Sequence, residues 1–236
     1  MQLVKIVTLK GQVLLKSGLH IGAGDLEMHI GGTDNPVVKN VHSNEPYIPG
    51  SSLKGKVRSL LEMRSGLMAE TKGNPVGKSI LKKDLSEQAK NEATKILKIF
   101  GSSGADADEN DEIGPTRASF ADCYLSAESR TLASENNLPL TEVKSENSIN
   151  RISGTAVNPR FTERVLAGLS FDFSITLKEL DIDSGDNLID FLLQGLKLLE
   201  YDALGGSGSR GYGRVEFDLE DPEIKKKFSE ILPISN

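Results

Sequence analysis

The sequence predicts an α+β fold: a ferredoxin-like (RRM-like) core carrying a hairpin insertion and a helical, acidic-loop insertion. Three observations predict it. Apolar periodicities run in the order strand, helix, strand, strand, helix, strand, which is the split β-α-β arrangement. A polar stretch without a clean period, residues 138–168, separates two strand-like segments and reads as a hairpin reaching away from the core. The 236 residues, 37% of them hydrophobic, suffice for one sizeable domain with insertions. The expected organisation is a single domain over 1–236, with insertions near 71–116 and 138–167.

Each element has its own signal. "QLVKIVTLKGQVLL" is rich in Val, Ile and Leu with partial alternation and reads as the first strand. In "YIPGSSLKGKVRSLLEMRSG", Pro49 and Gly50 end the preceding segment, and Ser51 or Ser52 is expected to cap a helix. Leu53, Val57, Leu60 and Leu61 share its apolar face, and Gly66 marks its stop. A second helical register, Leu85, Ala89, Ala93, Ile96 and Leu97, runs to Phe100. "GSSGADADENDEIGP" is a polar acidic loop, and "RASFADCYLS" alternates like a strand. "LSFDFSITLKEL" is the clearest alternating strand. An amphipathic helix "NLIDFLLQGLKLLEYDALG", a strand "GYGRVEFDL" and a short helix "PEIKKKFSEI" close the chain.

Charge and cysteine content narrow the function classes. Formal net charge is −6, which opposes a uniformly basic nucleic-acid binder. The charge is unevenly spread, however. Residues 104–112 hold five acids and no base, whereas residues 39–64 hold five bases and two acids. Basic residues gathered on one face remain compatible with binding a phosphate backbone. A single cysteine, Cys123, forms no internal disulfide and suits a reducing, cytoplasmic setting. No apolar run approaches the ~20 residues that span a bilayer, and the start lacks a signal-peptide core, so no membrane partner is expected.

Several stretches admit both a structural and a chemical reading. "GGSGSRGYGR" (205–214) contains G-x-G-x-x-G, but a helix precedes it and a strand follows, the reverse of a dinucleotide fingerprint. It is either a flexible turn with two solvated arginines, or a bare-backbone loop beside a phosphate chain with Arg210 and Arg214 as countercharges. Lys54, Lys56 and Arg58 follow a helix start, where free amides favour an anion; the plain alternative is a solvated helix face. Of three histidines (20, 29 and 42), none stands with a cysteine pair or in HExxH. His20, in "SGLHIGAG", reads as a hydrogen-bonded loop histidine, with a helper near an RNA backbone as the other reading. Asp34, in "MHIGGTDNPVVKN", is by local pattern a turn former whose carboxylate bonds backbone amides.

Five blocks change that balance. "GLHIGAG", "GGTDNPVVKN", "YIPGSSLKGKVRSLLE", "TEVKSENSINRISGTAVNPRFTERV" and "GLKLLEYDALGGSGSRGYGRV" together resemble the repeated backbone ribonuclease subunit of type III-A CRISPR effector complexes, the Csm backbone family within the RAMP superfamily. The resemblance implies copies stacked as a filament along a guide crRNA, beside other Csm subunits. The hairpin would be a thumb wedged into the guide–target duplex. It implies endonucleolytic cutting of complementary target RNA, with Asp34 as the catalytic acid and a Mg2+ or other divalent cation required, held in part by Asp34. It implies RNA contacts from His20, Ser52, Lys54, Arg58, Gly208, Arg210 and Gly211, and from Arg151, Arg160 and Arg164 of the thumb. A purely architectural RNA-binding subunit, with Asp34 a turn residue, is the alternative.

Overall fold

The computed structural model describes residues 1–24, 34–102 and 113–234. The acidic stretch 104–112, His29 and the start of the Asp34 loop lie outside the described residues. The described residues form a mixed α/β structure with two antiparallel sheets. Its strands are β1 (Leu3–Leu15), β2 (Ala118–Phe120), β3 (Tyr124–Leu125), β4 (Thr141–Ile149), β5 (Ala156–Val165), β6 (Ser170–Leu180) and β7 (Val215–Leu219). Its helices are α1 (Gly50–Arg64), α2 (Leu67–Glu70), α3 (Glu87–Phe100), α4 (Ala127–Glu135), α5 (Leu188–Glu200) and α6 (Pro222–Glu230).

The main sheet has the order β2-β6-β1-β7, with β3 also on β6. Its spine is the pairing of β1 with β6 from Leu3↔Leu180 to Leu14↔Ser170. Strict alternation on β6 buries Phe171, Phe173, Ile175 and Leu177 on one face. Leu9, Val13 and Leu15 of β1 and Val215, Phe217 and Leu219 of β7 join the same core. Helices α1, α3 and α5 cover that face. Leu53, Val57, Leu60 and Leu61 of α1 are buried, as their spacing predicts. Helix α5 crosses α1 at Gly195, where a side chain would crowd Val57 and Leu61. The other face of the sheet is polar, with Gln12 of β1 bonded to Asp172 of β6 and Glu128 of α4.

Two local expectations are revised. Neither Ser51 nor Ser52 caps α1; Asp122, 72 positions away, accepts the Gly50 N–H at 2.8 Å. Nothing in the local sequence shows that contact, which follows from seating the helix start against β2 and β3. "RASFADCYLS" forms two short strands, because the chain leaves the sheet at Ala121 and returns at Tyr124. Helix α3 starts at Glu87, with Ser86 accepting the Ala89 N–H. Its Ala93, Ile96, Leu97 and Phe100 lie in the main core.

Strands β4 and β5 form a separate two-stranded sheet joined by a turn at 150–155. Few of its residues are buried, and Ile149, Ile152 and Arg151 at its tip are exposed. At the opposite side of the molecule, Arg117, fully buried, makes paired bonds of 2.8 and 2.9 Å to Asp183. Lys98 adds contacts of 3.0 Å to Asp183 and 2.6 Å to Asp186. Burial acts upward on the Asp183 carboxyl, but these cations hold it well below the usual carboxylate range.

Candidate functional site at the hairpin base

Residues 18–22 leave β1 and become the hub of the site. Leu19 exchanges backbone hydrogen bonds with Val165 at the hairpin base, 3.0 and 2.7 Å. The Gly18 and His20 carbonyls accept from Gly213 and Gly206 of the glycine loop, both at 2.9 Å. The Ile21 carbonyl accepts the Val38 N–H at 2.9 Å. Three blocks far apart in sequence, the Asp34 arm, the hairpin base and the glycine loop, therefore share one short segment.

Two glycines make the close approach possible. Gly205 and Gly213 have φ of 74° and 70°, which only glycine adopts without strain. A methyl group at either would collide with a carbonyl oxygen, that of His20 or Leu204. Gly208 lies against Ala203, and Gly211 opens to solvent with φ of 84°. Helix α5 precedes the loop and β7 follows it.

Asp34 lies against the middle of β5. Its Oδ2 accepts the Phe161 N–H at 3.1 Å, and the carboxylate is exposed, with no cation partner among the described residues. Asn35 runs beside Thr162, and its carbonyl accepts the Glu163 N–H at 3.0 Å. Glu163 then fastens the arm from below. Its carboxylate accepts the Val37 N–H at 2.9 Å, the Lys39 ammonium at 2.7 Å and the Thr141 hydroxyl at 2.8 Å. Burial pushes the Glu163 carboxyl up, but these donors outweigh it and hold it below its ordinary value. The Glu163 carbonyl lies 2.7 Å from His20 Nδ1. A carbonyl only accepts, so Nδ1 carries the proton. His20 is thus a hydrogen-bonded loop histidine at the centre of the site.

A second cluster joins the hairpin to the glycine loop. Tyr212 is fully buried, and its hydroxyl donates to Glu146 at 2.9 Å. The Lys144 ammonium stands 4.6 Å and the Arg164 guanidinium 5.0 Å from its ring centroid. Arg164 bonds Glu142 at 2.7 Å, and Arg210 bonds Glu146 at 2.7 Å. Burial acts upward on the Glu146 carboxyl; Tyr212, Arg210 and Lys144 prevail and lower it. Arg160, facing Glu146 across the ladder, is exposed. Arg151 lies apart, on the tip turn.

The α1 positions divide. Lys56 pairs with Asp202 at 2.6 Å, which brings the helix alongside the start of the glycine loop. Arg58 turns inward to Glu62 at 2.8 Å and the Val76 carbonyl at 2.6 Å. Lys54 is half-buried and has no ion-pair partner among the described residues; burial, then Arg58, lowers its pKa. Ser52, two positions before Lys54, is also half-buried. Sequence reasoning missed Glu163, Glu146, Tyr212 and Asp122. The only trace of the two glutamates was their place in a polar segment lacking a period.

Sheet order, projecting hairpin and glycine loop converge on one class, and the chain belongs to the RAMP superfamily, whose family model matches residues 13–216. It is 39% identical over 230 residues to the CRISPR system Cms endoribonuclease Csm3 of Methanothermobacter thermautotrophicus, spanning 92% of this chain and 85% of that protein. It is 37% identical over 214 residues to the Csm3 endoribonuclease of Enterococcus italicus, spanning 91% and 90%. Among solved structures it resembles the Csm3–Csm4 subcomplex of the type III-A CRISPR-Cas interference complex, with TM-score 0.55 and 26% identity over 98% of this chain and 99% of that one. The Methanopyrus kandleri Csm3 crystal structure gives TM-score 0.56 at 27% identity, over 91% and 75%.

Proposed function

We propose that this chain is a guide-crRNA-binding backbone subunit of a type III-A interference complex, and that it cuts complementary target RNA at regular intervals with Asp34. Its partners in this reading are the guide, the target, further copies of itself and other Csm subunits in the cytoplasm. The hairpin of β4 and β5 is the thumb. The β2-β6-β1-β7 order, with α1 and α5 on one face, supports a ferredoxin-like core with insertions. The observation that carries the reading is the bond from the Phe161 amide to the Asp34 carboxylate. It ties the acid to the middle of β5, within the element that would displace a nucleotide.

The chemistry follows from that placement. A nucleotide forced out of a duplex brings its 2′-OH towards in-line attack on the next phosphate. One Asp34 oxygen is occupied by the Phe161 amide, and the other is free to accept the hydroxyl proton. The expected product end is a cyclic 2′,3′-phosphate. Among the described residues, no three His, Cys, Asp or Glu side chains are placed to hold a metal ion. A divalent cation would instead take the free Asp34 oxygen as a protein ligand, with phosphate oxygens and water completing its shell. When bound, it would supply charge stabilisation of the transition state. Lys54, Gly208 and Gly211 are the positions best exposed or unpaired to meet the guide backbone.

Substituting Asp34 by Ala in the assembled complex separates cutting from architecture. Lost cutting with intact assembly and target binding supports catalysis by Asp34. Unchanged cutting, or failed assembly, makes Asp34 a turn residue in a scaffold subunit.

A further inference from the structure

The thumb and glycine loop enclose a cleft of about 310 Å³, lined by Glu146, Asn147, Ser148, Asn158, Arg160 and Arg210. Two guanidinium groups and several amide or hydroxyl side chains line it, and Glu146 is its one acid. On β4, Glu142, Lys144 and Glu146 alternate onto one side, as period two requires. Each glutamate there holds an arginine proposed to meet RNA: Glu142 with Arg164 and Glu146 with Arg210. Glu146 also meets Lys144 at 3.4 Å and is fixed by the Tyr212 hydroxyl. Arg160 has no ion-pair partner among the described residues.

We propose that this cleft takes one backbone phosphate of bound RNA, and that Glu146 occupies the phosphate position until RNA displaces it. Carboxylate and phosphate oxygens accept from a guanidinium in the same geometry. Phosphate attraction is blind to sequence, so an uncovered cluster of Arg160, Arg210 and Lys144 would capture any polyanion. A resident carboxylate raises the threshold. Only a strand making further contacts along thumb and loop displaces it, which biases the subunit against short or poorly fitting polyanions. The inference rests on the RNA-binding reading above.

The test uses the full chain and a fluorescein-labelled oligouridylate, followed by anisotropy across a salt series. Glu146→Gln keeps the shape and the acceptor for Tyr212 but removes the charge. One released cation steepens the slope of log affinity against log salt by about 0.7, which is about fivefold tighter binding at about 0.1 M salt. The double variant with Arg210→Gln should lose that gain, and Glu220→Gln, distant and exposed, should show none. Unchanged melting temperatures establish folding; if Glu146→Gln melts early, anisotropy is read at a temperature below both transitions, where each chain is folded. Weaker or unchanged binding by these variants, with the wild type binding RNA, overturns the placeholder role alone. Absence of binding by wild type and variants alike overturns the RNA-binding reading as well.

Discussion

Replacing Glu163 by Ala should detach the Asp34 arm from the thumb, and the cost can be worked from its contacts. The carboxylate is nearly buried and accepts from Val37, Lys39 and Thr141. Val37 is buried, so its amide would be left without a partner, which costs about 1–3 kcal/mol. Lys39 is partly exposed and can turn to water, so its loss adds under about 1 kcal/mol. The sum, about 3 kcal/mol, corresponds to a melting temperature lower by about 6–12 °C for a chain of this size. Circular dichroism melts at neutral pH measure it. Glu142→Ala, which removes only a rim ion pair with Arg164, is the control and should move it little. The pH dependence has a definite sign. Glu163 is held below its ordinary value, so its contribution is complete above the unfolded pKa of about 4.3 and fades as pH falls through the lower folded value. The gap between wild type and variant should therefore narrow below about pH 4. A melting difference under about 2 °C at neutral pH, or a gap that widens in acid, refutes the anchoring role.

Gly213→Ala should destabilise the chain by about 2 kcal/mol or more, since the methyl meets the Leu204 carbonyl at φ of 70°; urea unfolding reads it, and a loss below about 0.5 kcal/mol would mean the loop simply shifts. The Cys123 thiol is buried and pushed up to about 12 by burial, with Asp122 and Asp172 adding to it. Maleimide labelling at about pH 8 should proceed only in denaturant; rapid labelling of the folded chain would contradict that packing.

The core was legible because periodicity reports burial directly. The alternation of β6 and the apolar stripes of α1 and α5 name the residues that the structure buries. The cap of α1 was not legible, because Asp122 is distant in sequence and becomes its neighbour only through β2 and β3. The site was partly legible. Asp34 and the glycine loop carry motifs, and resemblance drew attention to them. Their shared dependence on residues 18–22 arises from backbone pairing, which side-chain identities do not encode. Arg164 and Arg210 look in sequence like free cations, and each proves to hold a glutamate of β4. Glu163 and Tyr212 escaped notice because burial of a polar side chain is a property of the folded neighbourhood.

The most direct measurement is a structure of the assembled particle with guide and target RNA, taken with a 2′-deoxy residue at the cut to preserve the substrate. The Asp34 carboxylate should lie within hydrogen-bond reach, about 3 Å or one water further, of the ribose 2′ position of the nucleotide that the thumb pushes aside. An Asp34 turned into protein, or lying well beyond that reach at every displaced nucleotide, would contradict the account.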